Sequence, residues 1–247
     1  MKISDFLNKI ASFYIIFFSY ENIKSKKIIK KYRKKIKNKL ILDVGCGYGI
    51  FSKNISYFAK SVDAIDIDNK ILKNSIKRKN INYFNIDINE YNTKNKYDFI
   101  TCFHVIEHIK DDKFAFKKMV SLTKDNGYIF ISTPHKKSIM SHNFNIKNTL
   151  KKFKFSELLK EKPHEHERAG YDVEDFIKLS EDMPVEILEV FYDKEPIILY
   201  EIYFLMPVFM RLLLLPFFSF LESIYHKFDQ KDGLNIYVLF VKKSKLS

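Results

Sequence analysis

Three aspartates that each follow a short apolar run, with three glycines after the first, carry the clearest chemical reading in this chain. Leu40-Ile-Leu leads into Asp43, and Gly45, Gly47 and Gly49 follow at alternate positions. Backbone without side chains lets a ligand lie across the end of a strand, so the run implies a nucleotide-like ligand. Ser61-Val-Asp-Ala-Ile ends at Asp66, 23 residues after Asp43, where a carboxylate can accept hydrogen bonds from both hydroxyls of a ribose. Ile81-Asn-Tyr-Phe-Asn-Ile ends at Asp87, placed to receive an exocyclic adenine amine. Two plainer readings stay open: glycines can serve a tight strand-to-helix connection alone, and aspartate is a good helix N-cap.

The elements needed to hold these residues are strands alternating with helices. Tyr97-Asp-Phe-Ile-Thr-Cys-Phe is a fourth strand and Gly127-Tyr-Ile-Phe-Ile-Ser a fifth, and Val185–Phe191 and Asn235–Val241 read as the sixth and seventh. The pattern predicts an α/β fold built on one sheet. The ordered strand ends resemble the class I S-adenosylmethionine-dependent methyltransferases, in the branch of the ubiquinone-type and glycan-type O-methyltransferases. The resemblance covers roughly residues 36 to 193 plus 234 to 243. It implies a seven-stranded Rossmann-like sheet, to which this chain adds N-terminal helices and an apolar helical insertion between the last two strands, far longer than a usual hairpin. It also implies S-adenosylmethionine as cofactor, with Asp43 orienting the methionine amine and Gly45, Cys46 and Gly47 bringing backbone close to it. By the same resemblance Asp66 grips the ribose, Ile67 flanks the adenine, Asp87 and Ile88 meet the base edge, and Phe103 sits near the adenine or methionyl portion.

Methyl transfer from a sulfonium is an in-line displacement, so a protein chiefly positions the acceptor and removes one proton. His104, His108, His135 and His166 are candidate bases for a hydroxyl acceptor, with His104 and His166 placed first and Arg168 beside them in a His-x-Arg pattern resembling glycan-type and lipid-type relatives. A helix with Asp175 as capping partner is expected to start near Asp172, after a lysine-rich helical stretch from Ile146 to Lys162. His104, Glu107 and His108 would share one face of a helical turn, a spacing that metal ligands also use. The quinone-type relatives carry Glu where this chain has His104, and no metal is expected.

The chain has 247 residues and a formal charge of +13, with ten basic residues among the sixteen from Lys24 to Lys39. Ile28, Ile29, Tyr32 and Ile36 recur there at helical spacing, which makes a basic amphipathic helix suited to lipid, to phosphates or to packing on the domain. Residues 1–39 are read as an N-terminal helical cap, whose apolar run Ile10–Tyr20 is too short to span a bilayer. Residues 40–247 form the catalytic domain, with an insertion at about 194–233. Within it, Ile202–Leu221 is apolar except for Arg211 and is interrupted by Pro207 and Pro216, which predicts a proline-broken pair of short interfacial helices. Cys46 and Cys102 give no disulfide framework, and Cys102 reads as a buried strand residue. The expected setting is cytoplasmic, peripheral on the inner face of the membrane. The expected partners are a small-molecule or lipid-linked acceptor and an anionic membrane surface. A nucleic-acid methyltransferase is an alternative, weakened by the lack of an Asn/Asp-Pro-Pro-aromatic motif after the fourth strand, and a non-catalytic membrane adaptor is another.

Overall fold

A computed structural model describes residues 20–136, 167–194, 208–225, 227–229 and 233–244. In chain order its elements are α1 (Tyr20–Ile36), β1 (Leu40–Val44), α2 (Ile50–Ser56), β2 (Ser61–Asp66), α3 (Asn69–Lys73), β3 (Ile81–Asn85) and β4 (Tyr97–Phe103). There follow a 3-10 turn (Ile106–His108), α4 (Asp112–Leu122), β5 (Thr123–Pro134), α5 (Val173–Ser180), β6 (Val185–Lys194), α6 (Val208–Tyr225), β7 (Lys227–Asp229) and β8 (Asn235–Lys242). They fall into two compact units: the described residues up to Asn85 with those from Lys194 to Lys227, and Ile86–Asp193 with the described residues from Phe228 onward.

In the first unit β3, β2 and β1 lie side by side in parallel, Leu40 beside Ser61 and Val62 beside Ile81. Ile41, Leu42, Val62, Ala64 and Ile65 are fully buried, as strands covered on both faces require. The apolar stripe of α1 also faces inward: Ile28, Ile29, Tyr32 and Ile36 are 2%, 3%, 3% and 1% exposed, while Lys30, Lys31, Arg33 and Lys34 face solvent. Helix α1 rests on α2, where the buried Asn54 Nδ2 donates to Asn22 Oδ1 at 2.8 Å and to Ser25 Oγ at 2.6 Å. Helix α6 packs against α1, and Lys27 Nζ donates to the Ser223 carbonyl at 2.9 Å. The expected break at Pro216 does not occur, and α6 runs continuously through it. A proline removes a single N–H from the ladder, and leucines and phenylalanines on both sides keep the turn going. Among the described residues no helix is long and apolar enough to cross a membrane.

The second unit orders its strands β4-β5-β8-β6-β7. β4 and β5 are parallel, and β8 is antiparallel to both β5 and β6. The expected antiparallel pairing of the sixth and last long strands is present, but the described strands number eight, one more than the seven expected. The addition is β7, three residues beside β6, where the Phe228 ring meets Phe191 edge-on at 5.0 Å. Phe191 in turn stacks on Tyr237 at 4.9 Å, and Phe116 meets Phe240 at 4.9 Å, so aromatic rings fill this core. The fully buried Asp193 carboxylate accepts from the Asn235 backbone at 2.8 Å, from Asn235 Nδ2 at 2.9 Å and from Tyr237 Oη at 2.7 Å. These bonds pin β6 to β8 at the two ends of the long connection, which satisfies a buried charge that would otherwise be costly.

Candidate active site

Gly45, Gly47 and Gly49 all have positive φ, 67°, 53° and 77°, so the turn after β1 has a backbone that residues with a Cβ rarely adopt. A Cβ at Gly47 would meet nothing within 4 Å, which leaves open space above the turn, whereas one at Gly49 would collide with the Tyr83 hydroxyl. Asp66 closes the turn from β2: its Oδ2 accepts from Gly47 N–H at 2.8 Å and its Oδ1 from Asp68 N–H at 2.9 Å. A carboxylate offers about four lone-pair positions, so Asp66 keeps capacity for two more donors. The helix cap that Asp66 could have supplied comes from Asp68, which accepts from Lys70 and Ile71 at the start of α3. Asn85 Nδ2 donates to the Asp66 and Ile67 carbonyls at 3.0 and 2.9 Å, holding the corner from which Ile67 projects with 73% of its surface exposed.

Asp43 is 1% exposed at the end of β1 and accepts a short hydrogen bond from Ser52 Oγ on α2. Ser52 is a partner the sequence did not announce, since a serine inside a helix has no distinguishing pattern. Burial, with Asp43 and Asp66 nearby, pushes the Cys46 thiol well above its ordinary range, so Cys46 contributes backbone and bulk to the turn and no thiolate. An exposed isoleucine beside a half-satisfied carboxylate, over open glycine backbone, fits a nucleoside with a ribose diol.

In the second unit Asp87 Oδ1 accepts from Asn89 N–H at 2.7 Å in a tight turn, and Ile88 is buried. Phe103 is 9% exposed, with its ring edge on Phe130 at 5.4 Å. Cys102 is fully buried on β4. His104 follows at φ 51°, its N–H donating to the Ser132 carbonyl at 2.9 Å and its Nδ1 lying 3.5 Å from Glu107 Oε1. The single helical turn expected to carry His104, Glu107 and His108 is instead a 3-10 turn over residues 106–108, with His104 outside it. Among the described residues no group of three or more His, Cys, Asp or Glu side chains could hold a metal ion.

The remaining candidates divide. His135 is buried at 4% exposure, its Nδ1 3.0 Å from the Gly233 carbonyl and its ring 4.8 Å from Tyr192, a packed position unlike that of the partly exposed His104. Arg168 reaches Asp112 Oδ1 at 2.9 Å, and Tyr171 Oη donates to Asp112 Oδ2 at 2.7 Å. Burial and the nearby Asp112 carboxylate push the Tyr171 phenol far above its usual range, so it stays a donor. The role of Asp112 as the anchor for Arg168 was invisible in sequence, because 56 residues separate them. His166 and the lysine-rich stretch from Ile146 to Lys162 lie outside the described residues.

Residues 20–175, more than half of the chain, match the family model described as a methyltransferase domain. The chain belongs to the methyltransferase domain family. Among curated relatives, the ubiquinone biosynthesis O-methyltransferase of Coxiella burnetii (strain Dugway 5J108-111) is 35% identical over 105 residues, 40% of this chain and 44% of that protein. The namesake from Pelagibacter ubique is 33% identical over 124 residues, 47% and 50% of the two chains. This chain therefore spans half or less of the curated relatives it matches. Among solved structures, the plantazolicin methyltransferase BpumL in complex with a triazolic desmethylPZN analog and S-adenosylhomocysteine (SAH) has a TM-score of 0.59 at 16% identity, covering 96% of this chain and 91% of the other. The N-methyltransferase NodS of Bradyrhizobium japonicum WM9 has a TM-score of 0.56 at 11% identity, covering 90% and 96%. These structural likenesses confirm the class I α/β methyltransferase fold.

Proposed function

We propose that the chain methylates a hydroxyl oxygen on a lipid-linked, glycan or quinone-like acceptor at an anionic membrane surface. In the first unit Asp43, the turn from Gly45 to Gly47, Asp66 and Ile67 hold S-adenosylmethionine, the methyl donor; Asp87, Ile88 and Phe103 are the second unit's own adenine candidates. The bound donor supplies a methyl group on a positively charged sulfur. His104 takes the hydroxyl proton as the acceptor oxygen attacks, and its partial exposure at the mouth of β4 supports that role. Arg168, held by Asp112, lends positive charge to the acceptor's polar portion.

The observation that carries the membrane reading is on α6. Leu213, Phe217, Phe220 and Ile224 are 74%, 55%, 62% and 54% exposed at intervals of four, three and four residues, which puts them in one stripe. The helix packed against α6 is α1, whose outward face carries the lysines. An apolar stripe beside a cationic face matches a layer of anionic headgroups over acyl chains. Curated relatives named for ubiquinone biosynthesis support a lipid-tailed phenol among the possible acceptors.

The test compares a prenylated catechol in phosphatidylglycerol vesicles with the same catechol lacking its tail in buffer. The expected result is methylation of both, with kcat/KM at least ~10-fold higher on vesicles, and loss of ~10²-fold in kcat for His104→Ala. Equal rates on the two substrates would remove the membrane from the reading. Unchanged turnover in His104→Ala would remove the base.

A further inference from the structure

Glu107 is fully buried, yet it is the central residue of a short turn beside the proposed base. Its Oε2 accepts from Thr133 Oγ1 at 3.1 Å, while its Oε1 has no hydrogen-bond partner among the described residues and points to His104 Nδ1 at 3.5 Å. A carboxylate enclosed with one oxygen unsatisfied is costly unless a positive partner offsets it. His104 is the neighbour that can become that partner. Its side chain is 38% exposed where that of Glu107 is 1%, so the ring bridges a dry carboxylate and the surface.

The surroundings hold this pair in place from several directions. His104 takes φ 51°, a conformation unusual for a residue with a side chain, and its N–H is tied to the Ser132 carbonyl. Arg168 N–H donates to the Glu107 carbonyl at 3.2 Å, and Tyr171 Oη reaches the Ile106 carbonyl at 3.4 Å. Strain kept at a site that the neighbouring structure over-determines points to a use for the geometry.

We propose that Glu107 is the positioning residue for His104, holding the proton of the neutral ring on Nδ1 so that Nε2 faces the acceptor with its lone pair free. The proposal rests on His104 being the base. As the acceptor oxygen forms its bond to the methyl carbon, the carbon–sulfur bonding pair stays with sulfur and the hydroxyl proton moves to Nε2. The ring is then an imidazolium against a buried carboxylate, a pairing stronger after proton transfer than before it.

Two measurements test it. Nitrogen-15 spectra of the histidine-labelled parent chain should show neutral His104 protonated on Nδ1, and Glu107→Gln should shift the tautomer balance toward Nε2. In the vesicle catechol assay Glu107→Gln should lower kcat ~10- to 100-fold with KM within about twofold, and Glu107→Asp should recover part of the loss. A parent spectrum with the proton on Nε2 overturns the proposal without requiring any variant to fold. So does a folded Glu107→Gln with unchanged tautomer and kcat. If the spectra agree but His104→Ala keeps full turnover, the base assignment has failed while the Glu107 pairing stands.

Discussion

Asp66 does two jobs with one carboxylate. Its bond to Gly47 N–H fixes the glycine turn to the end of β2, and its bond to Asp68 N–H shapes the corner that presents Ile67. Both uses draw on one oxygen each, so the outer lone pairs stay available to a diol. Replacing Asp66 with Ala should weaken binding of S-adenosylhomocysteine by about 1–3 kcal/mol, through loss of charge-assisted bonds and a looser turn. Titration calorimetry on the parent and the variant measures this directly. Equal affinity in the two proteins would show that the ribose lies elsewhere.

At the scale of elements, the parallel strands, the inward stripe of α1 and the helix after Asp172 were legible because each rests on a local period or cap. Hydrophobic residues at strand and helix spacing announce their buried face wherever the chain later goes. What stayed hidden depended on distant partners. β7 has three residues, too few to show a period, and its Phe228 meets Phe191 and Tyr237 from other strands, while Asp112 holds Arg168 across 56 positions. His104 and Glu107 were legible as residues, but the 3-10 turn that aims one at the other follows from contacts with Thr133 and Ser132 on β5. The cap of α5 gives a test at this scale. Asp172 Oδ1 accepts from Asp175 N–H at 3.0 Å while Asp175 Oδ2 accepts from Asp172 N–H at 3.0 Å. Partial burial acts to raise the Asp172 carboxyl, but the hydrogen bond from the Asp175 N–H and the charge of Lys136 outweigh it and hold the group below the usual aspartate range. The charged cap therefore stabilises the fold above the unfolded chain's aspartate range and loses that contribution as pH falls through the lowered folded value. Asp172→Ala should cost ~0.5–2 kcal/mol in urea unfolding at neutral pH, with the difference shrinking as the medium is acidified. A penalty that stayed constant into strong acid would contradict this account of the cap.

For the molecule as a whole, the question is why the long connection between β6 and β8 carries a helix, α6, that shows an apolar side to solvent. Burying the exposed stripe would contribute about 1.5–3 kcal/mol for each large side chain fully covered, so leaving four of them out is a sizeable stability forgone. The lysine face of α1 sets what could cover them. An acidic protein surface would satisfy the charge, but a membrane satisfies both the charge and the apolar stripe over any orientation about its normal. Neither signal is strong alone: each lysine near anionic lipid adds up to ~1 kcal/mol and falls away beyond a Debye length. Their combination predicts binding that needs both. Flotation with vesicles rich in phosphatidylglycerol should carry the parent chain to the top of the gradient, and binding should weaken as salt is raised. Changing Leu213, Phe217, Phe220 and Ile224 together to Ser should abolish flotation while leaving S-adenosylhomocysteine affinity within about twofold, because the stripe faces away from the unit's own core. Retained flotation in that variant would assign the attachment to the lysines alone. Flotation that ignored lipid charge and salt would exclude the lysines and leave the apolar stripe as the whole of the anchor.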